Sequence, residues 1–194
     1  MKFRSLASTI LVVGALAFAA CGGDSKSETT SADSGATSGD QFNDADVTFA
    51  QGMIPHHEQA IEMADIALDP TVGASAEVRD LATRIKGGQD PEIALMSGWL
   101  TAWGKPLTMD MGDGHDMSSM EGMMSVEEMD ALGMMTDVDF DSMWMEMMIR
   151  HHEGAIVMAQ TVKANGSNQD VLALADQVIA AQQAEITEMQ ALLS

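Results

Sequence analysis

The chain has 194 residues, 46% of them hydrophobic and 20% charged, with 9 basic against 30 acidic side chains and a formal net charge of −21. A surface so short of cations excludes nucleic acid as a partner, while the apolar fraction supports a packed core and excludes wholesale disorder. One Cys cannot form an intramolecular disulfide, so stability has to come from packing or from a metal; 19 Met and no Tyr are the unusual features.

Lys2 and Arg4 precede an apolar run from about Leu6 to Ala20, which ends Phe18-Ala19-Ala20-Cys21. A short cationic start, an apolar stretch too short to span a bilayer comfortably and small residues at its end predict a secretory leader over 1–20. A Cys directly after the small residues resembles the bacterial lipobox, although Phe18 stands where that motif usually has Leu. The resemblance implies cleavage before Cys21, lipidation of that Cys and a lipid anchor at the outer face of the cell membrane or in the envelope. The leader carries two of the basic residues and no acidic ones, so the mature chain is more acidic still. Residues 21–41 form a Ser/Thr/Gly/Asp tract with almost nothing to bury, expected to be a flexible tether.

Residues 42–194 contain an internal duplication. Met53-Ile54-Pro55-His56-His57-Glu58-Gln59-Ala60-Ile61-Glu62-Met63-Ala64 recurs as Met148-Ile149-Arg150-His151-His152-Glu153-Gly154-Ala155-Ile156-Val157-Met158-Ala159. Upstream, Asp44, Asp46 and Phe49 correspond to Asp139, Asp141 and Trp144. Downstream, with a two-residue shift, Leu81, Ala82, Gln89, Glu92, Ile93, Met96 and Leu100 match Leu174, Ala175, Gln182, Glu185, Ile186, Met189 and Leu193.

The duplicated segments read as helices: apolar positions recur at three and four, β-branched runs are absent, and the early Asp residues are good N-caps. Asp69-Pro70-Thr71-Val72-Gly73 and Asn165-Gly166-Ser167-Asn168 break each pair, which predicts four helices in two matching hairpins. Pro55 is expected to kink the first helix beside its His pair, and Arg150 shows that the kink is not shared.

Helical periodicity places Met53, His57, Ala60, Ala64 and Ala67 within about 40° of one direction, with His56 about 60° and Met63 about 80° aside. Glu58 lies far around the helix, so Glu58 and Glu153 are expected in solvent and not in a catalytic triplet with the His pair. On the second helices, Leu81, Ile85, Gly88, Glu92 and Trp99 share a face, as do Leu174, Val178, Ala181, Glu185, Met189 and Leu192. Glu92 and Glu185 therefore point toward the core, where a carboxylate needs a hydrogen-bond partner, a cation or a proton. His56, His57, His151 and His152 on the facing helices are the candidates, as ion-pair partners or as co-ligands of a metal.

The doubled Met-Ile-x-His-His-Glu-x-Ala-Ile-x-Met-Ala, followed by Glu-Ile-x-x-Met, resembles the bacterial secreted family known as domain of unknown function 305, over roughly residues 42–194. The resemblance implies a ferritin-like four-helix bundle of two similar hairpins, with the His-His motif as the functional element, and an association of some members with extracytoplasmic copper handling. It implies no established reaction. Ferritin-like di-iron enzymes use Glu-x-x-His on two helices; neither copy here has it around its His pair, which disfavours oxygen-activating di-iron chemistry.

His with thioether Met suits copper, especially Cu(I), better than the hard sets that hold iron or manganese, although other transition metals stay open. Residues 109–148 hold about two thirds of the methionines. Within the connector at about 105–136, Met109, Met111, His115, Met117, Met120, Met123 and Met124 lie in a Gly/Ser/Asp-rich, poorly amphipathic stretch, expected to be a mobile loop. Such a loop is a candidate copper-capture arm or, alternatively, adaptable packing material. Met143, Met145 and Met147 read as helix residues packing the core.

The sequence therefore predicts an extracytoplasmic copper-binding lipoprotein that sequesters or transfers the ion by ligand exchange, with no covalent catalysis required. Its expected ligands are His56, His57, His151 and His152, with Met53, Met63, Met148 and Met158 nearby, Glu92 and Glu185 facing them, and His115, Met109, Met111, Met117 and Met120 in the arm. A copper-handling protein is an expected partner, and the acidic surface concentrates cations. Two alternatives stay open: a metal-dependent oxidase at the same centre, for which the chain shows no reaction-specific motif, and a metal-independent helical partner-binding module.

Overall fold

The structure, a computed structural model, describes residues 41–109 and 120–194. The leader, Cys21, the tether up to residue 40, and Met111, His115 and Met117 of the connector lie outside the described residues. Among those described, all regular structure is helical: α1 (Asp44–Leu68), α2 (Ala76–Ala102), α3 (Val126–Gly133), α4 (Asp137–Asn165) and α5 (Gln169–Leu192). α1 packs along α2, α4 along α5, and α1 against α4, so the two matching hairpins join through their first helices.

The breaks fall where the turn residues predict them, but the N-caps do not. Asn43 caps α1, its side chain accepting from the Ala45 and Asp46 N–H groups, and Asp46 answers as the third helical residue of a capping box. α4 starts after Thr136, which makes no side-chain cap bond, so Asp139 and Asp141 lie inside the helix. α1 continues through Pro55 and α2 through Pro91.

The connector also differs from expectation, because it holds a fifth helix. Ser125 and Glu128 form a reciprocal capping box at the start of α3, and Leu132 is fully buried. Met124, expected in a mobile loop, is 2% exposed and joins the core. Met145 and Met147 are buried, as their helical spacing predicts.

Two apolar clusters make the core. One gathers Met63, Leu81, Ile85, Leu132, Phe140, Trp144 and Met148; the other gathers Phe49, Met53, Met96, Leu100, Val162, Leu174 and Val178. The Trp144 indole N–H donates to the Met63 carbonyl at 2.9 Å, which satisfies a buried donor inside the first cluster. Along α1 the change from one cluster to the other falls between Met53 and Ala60, and along α4 between Met148 and Ala155. The four histidines occupy those intervals.

Candidate metal centre

His56, His57, His151 and His152 are all fully buried. A layer of four imidazoles between two apolar clusters is costly unless each ring nitrogen finds a partner, and here the partners are incomplete. The His57 Nε2–H donates to Glu92 Oε2 at 2.6 Å, and the His152 Nε2–H to Glu185 Oε2 at 2.8 Å. These pairs are the same contact made once in each hairpin. The His56 Nε2–H donates to the Glu121 carbonyl at 3.2 Å, which brings the connector onto the centre.

In a neutral ring each of those bonds places the proton on Nε2 and leaves Nδ1 as a lone pair. The Nδ1 atoms of His56, His57 and His152 are buried without a hydrogen-bond partner, and so are both ring nitrogens of His151. His56 and His151, from opposite hairpins, face each other with ring centroids 3.8 Å apart and planes inclined by 40°.

Burial, followed by the neighbouring His57 charge, pushes the His56 pKa down to about 3 against the partial opposition of the Glu121 hydrogen bond. Burial and the facing imidazole of His56 hold His151 well below the usual histidine range. Both rings are therefore neutral at physiological pH, the form in which an imidazole nitrogen coordinates a metal.

The carboxylates are less deep than their helical face predicts. The side chains of Glu92 and Glu185 are 22% and 16% exposed, at the edge of the core, where they reach the imidazoles from outside. Gly88 and Ala181, expected on the buried face, are exposed, and the buried stripe runs instead through Gln89 and Gln182. These two glutamines are a duplicated polar pair that face-counting missed. Each is buried and each Oε1 has no partner. Their signal was the correspondence of Gln89 with Gln182, three residues before Glu92 and Glu185.

Glu58 and Glu153 are exposed, as expected. Met53, Met63 and Met148 are fully buried. Met158 is half-buried, and its methyl group lies against Gly52, where those of Met109 and Met120 also come. The sequence therefore groups as one set residues that the structure separates: an inner His pair, two His–carboxylate pairs, and a methionine group at Gly52. Among the described residues, no three His, Cys, Asp or Glu side chains stand together in position to hold one ion. The unpartnered ring nitrogens of His56 and His151 instead offer a two-ligand set from opposite hairpins, with buried thioethers on the same helices. Such a set suits a soft ion of low coordination number and does not suit a hard cation that demands six oxygens.

No curated protein sequence matches the chain. Among solved structures, a protein described as a secreted DUF305 protein from Streptomyces coelicolor is 32% identical with a TM-score of 0.70, covering 77% of this chain and 91% of that one. A DUF305 fragment from Deinococcus radiodurans is 30% identical with a TM-score of 0.69, covering 78% and 96%. CopM in its Cu(II)-bound form is 34% identical with a TM-score of 0.64, covering 76% and 95%, and its Cu(I)- and Ag-bound forms match as well. The family model for the domain of unknown function DUF305 matches residues 46–193, and the chain belongs to that family.

Proposed function

We propose that this protein binds copper outside the cytoplasm and sequesters or hands on the ion by ligand exchange. In this reading Cu(I) is cargo, bound by ring nitrogens of His56 and His151. Glu92 and Glu185 fix the tautomers of His57 and His152, and Met53 and Met148 supply soft neighbours. The observation that carries the reading is the set of buried imidazole nitrogens left without hydrogen-bond partners, because a core that only needed packing would not retain them. The likeness to CopM, whose structures hold Cu(I), Cu(II) and Ag, supports the choice of metal.

The leader at 1–20, the tether at 21–41 and lipidation at Cys21 complete the proposal. They place the bundle, residues 42–194, at the outer face of the membrane or in the envelope. Met111, His115 and Met117 belong to the proposed capture arm, which meets a donor or acceptor protein before the ion reaches the bundle.

Competitive titration of the purified protein with Cu(I), Cu(II), Zn(II) and Fe(II), beside a variant carrying His56→Ala and His151→Ala, tests the centre. The expected result is copper binding that outcompetes the other ions and weakens sharply in the double variant. Binding no better than micromolar for every metal, or copper binding indifferent to both substitutions, removes the His centre from the function.

A further inference from the structure

Several of the differences between the two copies of the repeat lie along one side of the first helix. Gln51, Gly52, Pro55 and Gln59 in α1 stand where α4 has Glu146, Met147, Arg150 and Gly154, and positions 52, 55 and 59 follow helical spacing. Most of these differences are used to hold the connector. Gln51 donates to the Pro106 and Thr108 carbonyls at 2.7 and 3.3 Å. Gln59 clamps Met124 twice, accepting from its N–H at 2.8 Å and donating to its carbonyl at 2.9 Å. Arg150 reaches the Met124 sulfur and the Glu128 carboxylate. Gly154 has the Glu121 carbonyl and the Gly122 Cα packed where a side chain would be.

Gly52 is the remaining one of these four. In the second copy the equivalent place belongs to Met147, which packs into the core. In the first copy the space over Gly52 is filled from elsewhere: a Cβ there would lie 2.9 Å from the methyl of Met158, 3.3 Å from that of Met120 and 3.7 Å from that of Met109. The three methionines come from α4 and from the two ends of the connector segment 110–119. If filling were the only need, one side chain at position 52 would meet it, as the other copy demonstrates. Met109, Met120 and Met158 are also half-buried, unlike the fully buried Met53, Met63, Met96, Met148 and Met189. Met158 further borders a groove of about 430 Å³ between α1 and α4, lined by Phe49, Val157 and Thr161. The thioethers at Gly52 are thus reachable from solvent.

We propose that Met109, Met120 and Met158 form a second metal site over Gly52, built only of thioethers and selective for a soft monovalent ion, Cu(I) or Ag(I). Thioethers carry no proton to lose and favour soft cations over Zn(II) or Mg(II). Copper as the cargo rests on the function proposed above, but the site uses no histidine. Because two of its ligands flank residues 110–119 of the connector and the third lies on the His-bearing helix α4, it gives an ion a place on the outside of the bundle.

The test is a titration with Ag(I), read by the ¹³Cε methyl signals of the methionines in the intact protein. The expected result is that the Met109, Met120 and Met158 signals shift together within one equivalent, in the unaltered protein and equally in the His56→Ala, His151→Ala variant. Met109→Leu, Met120→Leu and Met158→Leu together preserve bulk, and should remove one equivalent of Ag(I) and its sulfur scattering in X-ray absorption. Gly52→Leu, which keeps all three sulfurs but fills their meeting place, should do the same. If the three signals stay still, or the triple Leu variant binds as many equivalents with the same scattering, there is no site at Gly52, whatever the His variant shows. Failure of the His centre appears separately, as copper binding insensitive to His56→Ala and His151→Ala.

Discussion

Asp46 and Asp141 occupy the same place in the two copies, and each reaches across to the opposite hairpin to accept the backbone N–H of the residue that caps its second helix. Asp46 accepts from Asn168 at 3.1 Å, and Asp141 from Ser75 at 3.0 Å. The hairpins are latched by this exchange at both ends of the α1–α4 seam, but the latches are unequal. Asp46 is fully buried and also accepts from the Asn43 N–H, the Ser167 N–H and the Ser167 hydroxyl. Asp141 is half-buried and, among the described residues, takes the Ser75 N–H.

Asp46→Asn should therefore cost about 2–3 kcal/mol, because an amide nitrogen would face donors in a place closed to water. Asp141→Asn should cost about 1 kcal/mol. Urea midpoints at unchanged slope measure both, and equal losses would contradict the asymmetry.

The neutral imidazoles set an acid dependence. In the unfolded chain His56 and His151 titrate near the ordinary histidine value of 6.5, whereas the folded His56 does so near 3 and His151 well below its ordinary value. Below about pH 6.5 the unfolded state takes up protons that the native state refuses, so metal-free stability falls with falling pH. The slope approaches roughly 1.4 kcal/mol per pH unit for each such imidazole, and for His56 it persists down to about pH 3. Urea unfolding at pH 7.5, 6.0 and 5.0 should show the decline, and His56→Gln should remove one proton's share of it. A flat stability over that range would mean that the rings are not held neutral.

The duplication, the helix pairs and the inward His pairs were legible because they are periodic, and the faces that meet brought Glu92 and Glu185 toward the four His without telling which His each carboxylate takes. What escaped depends on contacts between distant segments. Asp46 reads locally as a cap, yet its other acceptor bonds lie in the α4–α5 turn. Met124 reads as a loop residue until Gln59 and Arg150 fix it. Gln89 and Gln182 were lost because the buried stripe lies one residue away from the face chosen by a regular helical count.

The His–carboxylate pairs predict a graded effect on metal binding. Replacing Glu92 and Glu185 by Ala leaves four imidazoles in place but frees two of them to change tautomer and rotate. Copper affinity should fall by up to about 10-fold, short of the 10- to 100-fold usual when a ligand's own orienting partner is removed, because His57 and His152 adjoin the His56 and His151 ligands. Both carboxylates are partly exposed, so helical content should hold. Competition against a copper chelator reads the affinity and circular dichroism the fold. An unchanged affinity would make the pairs structural alone.

Glycines separate the docking of the connector from helix stability in general. Gly87, Gly88 and Gly98 lie inside α2 with nothing within 4 Å of an added Cβ. Each should gain about 0.5–1 kcal/mol on replacement by Ala, since glycine loses the most backbone freedom in a helix. Gly154 is also helical, so the same intrinsic gain applies, but its Cβ would run into the Glu121 carbonyl and the Gly122 Cα. Both are backbone atoms, and Gly122 sits at φ +79°, where few other residues fit. Gly154→Ala must therefore displace residues 121–122 and pull the Glu121 carbonyl from His56, a net loss of about 1–3 kcal/mol. Thermal unfolding gives the signs, and limited proteolysis should cut faster near Gly122 in Gly154→Ala alone. A stabilised Gly154→Ala with an uncut connector would show that the connector is not seated on α4 as described.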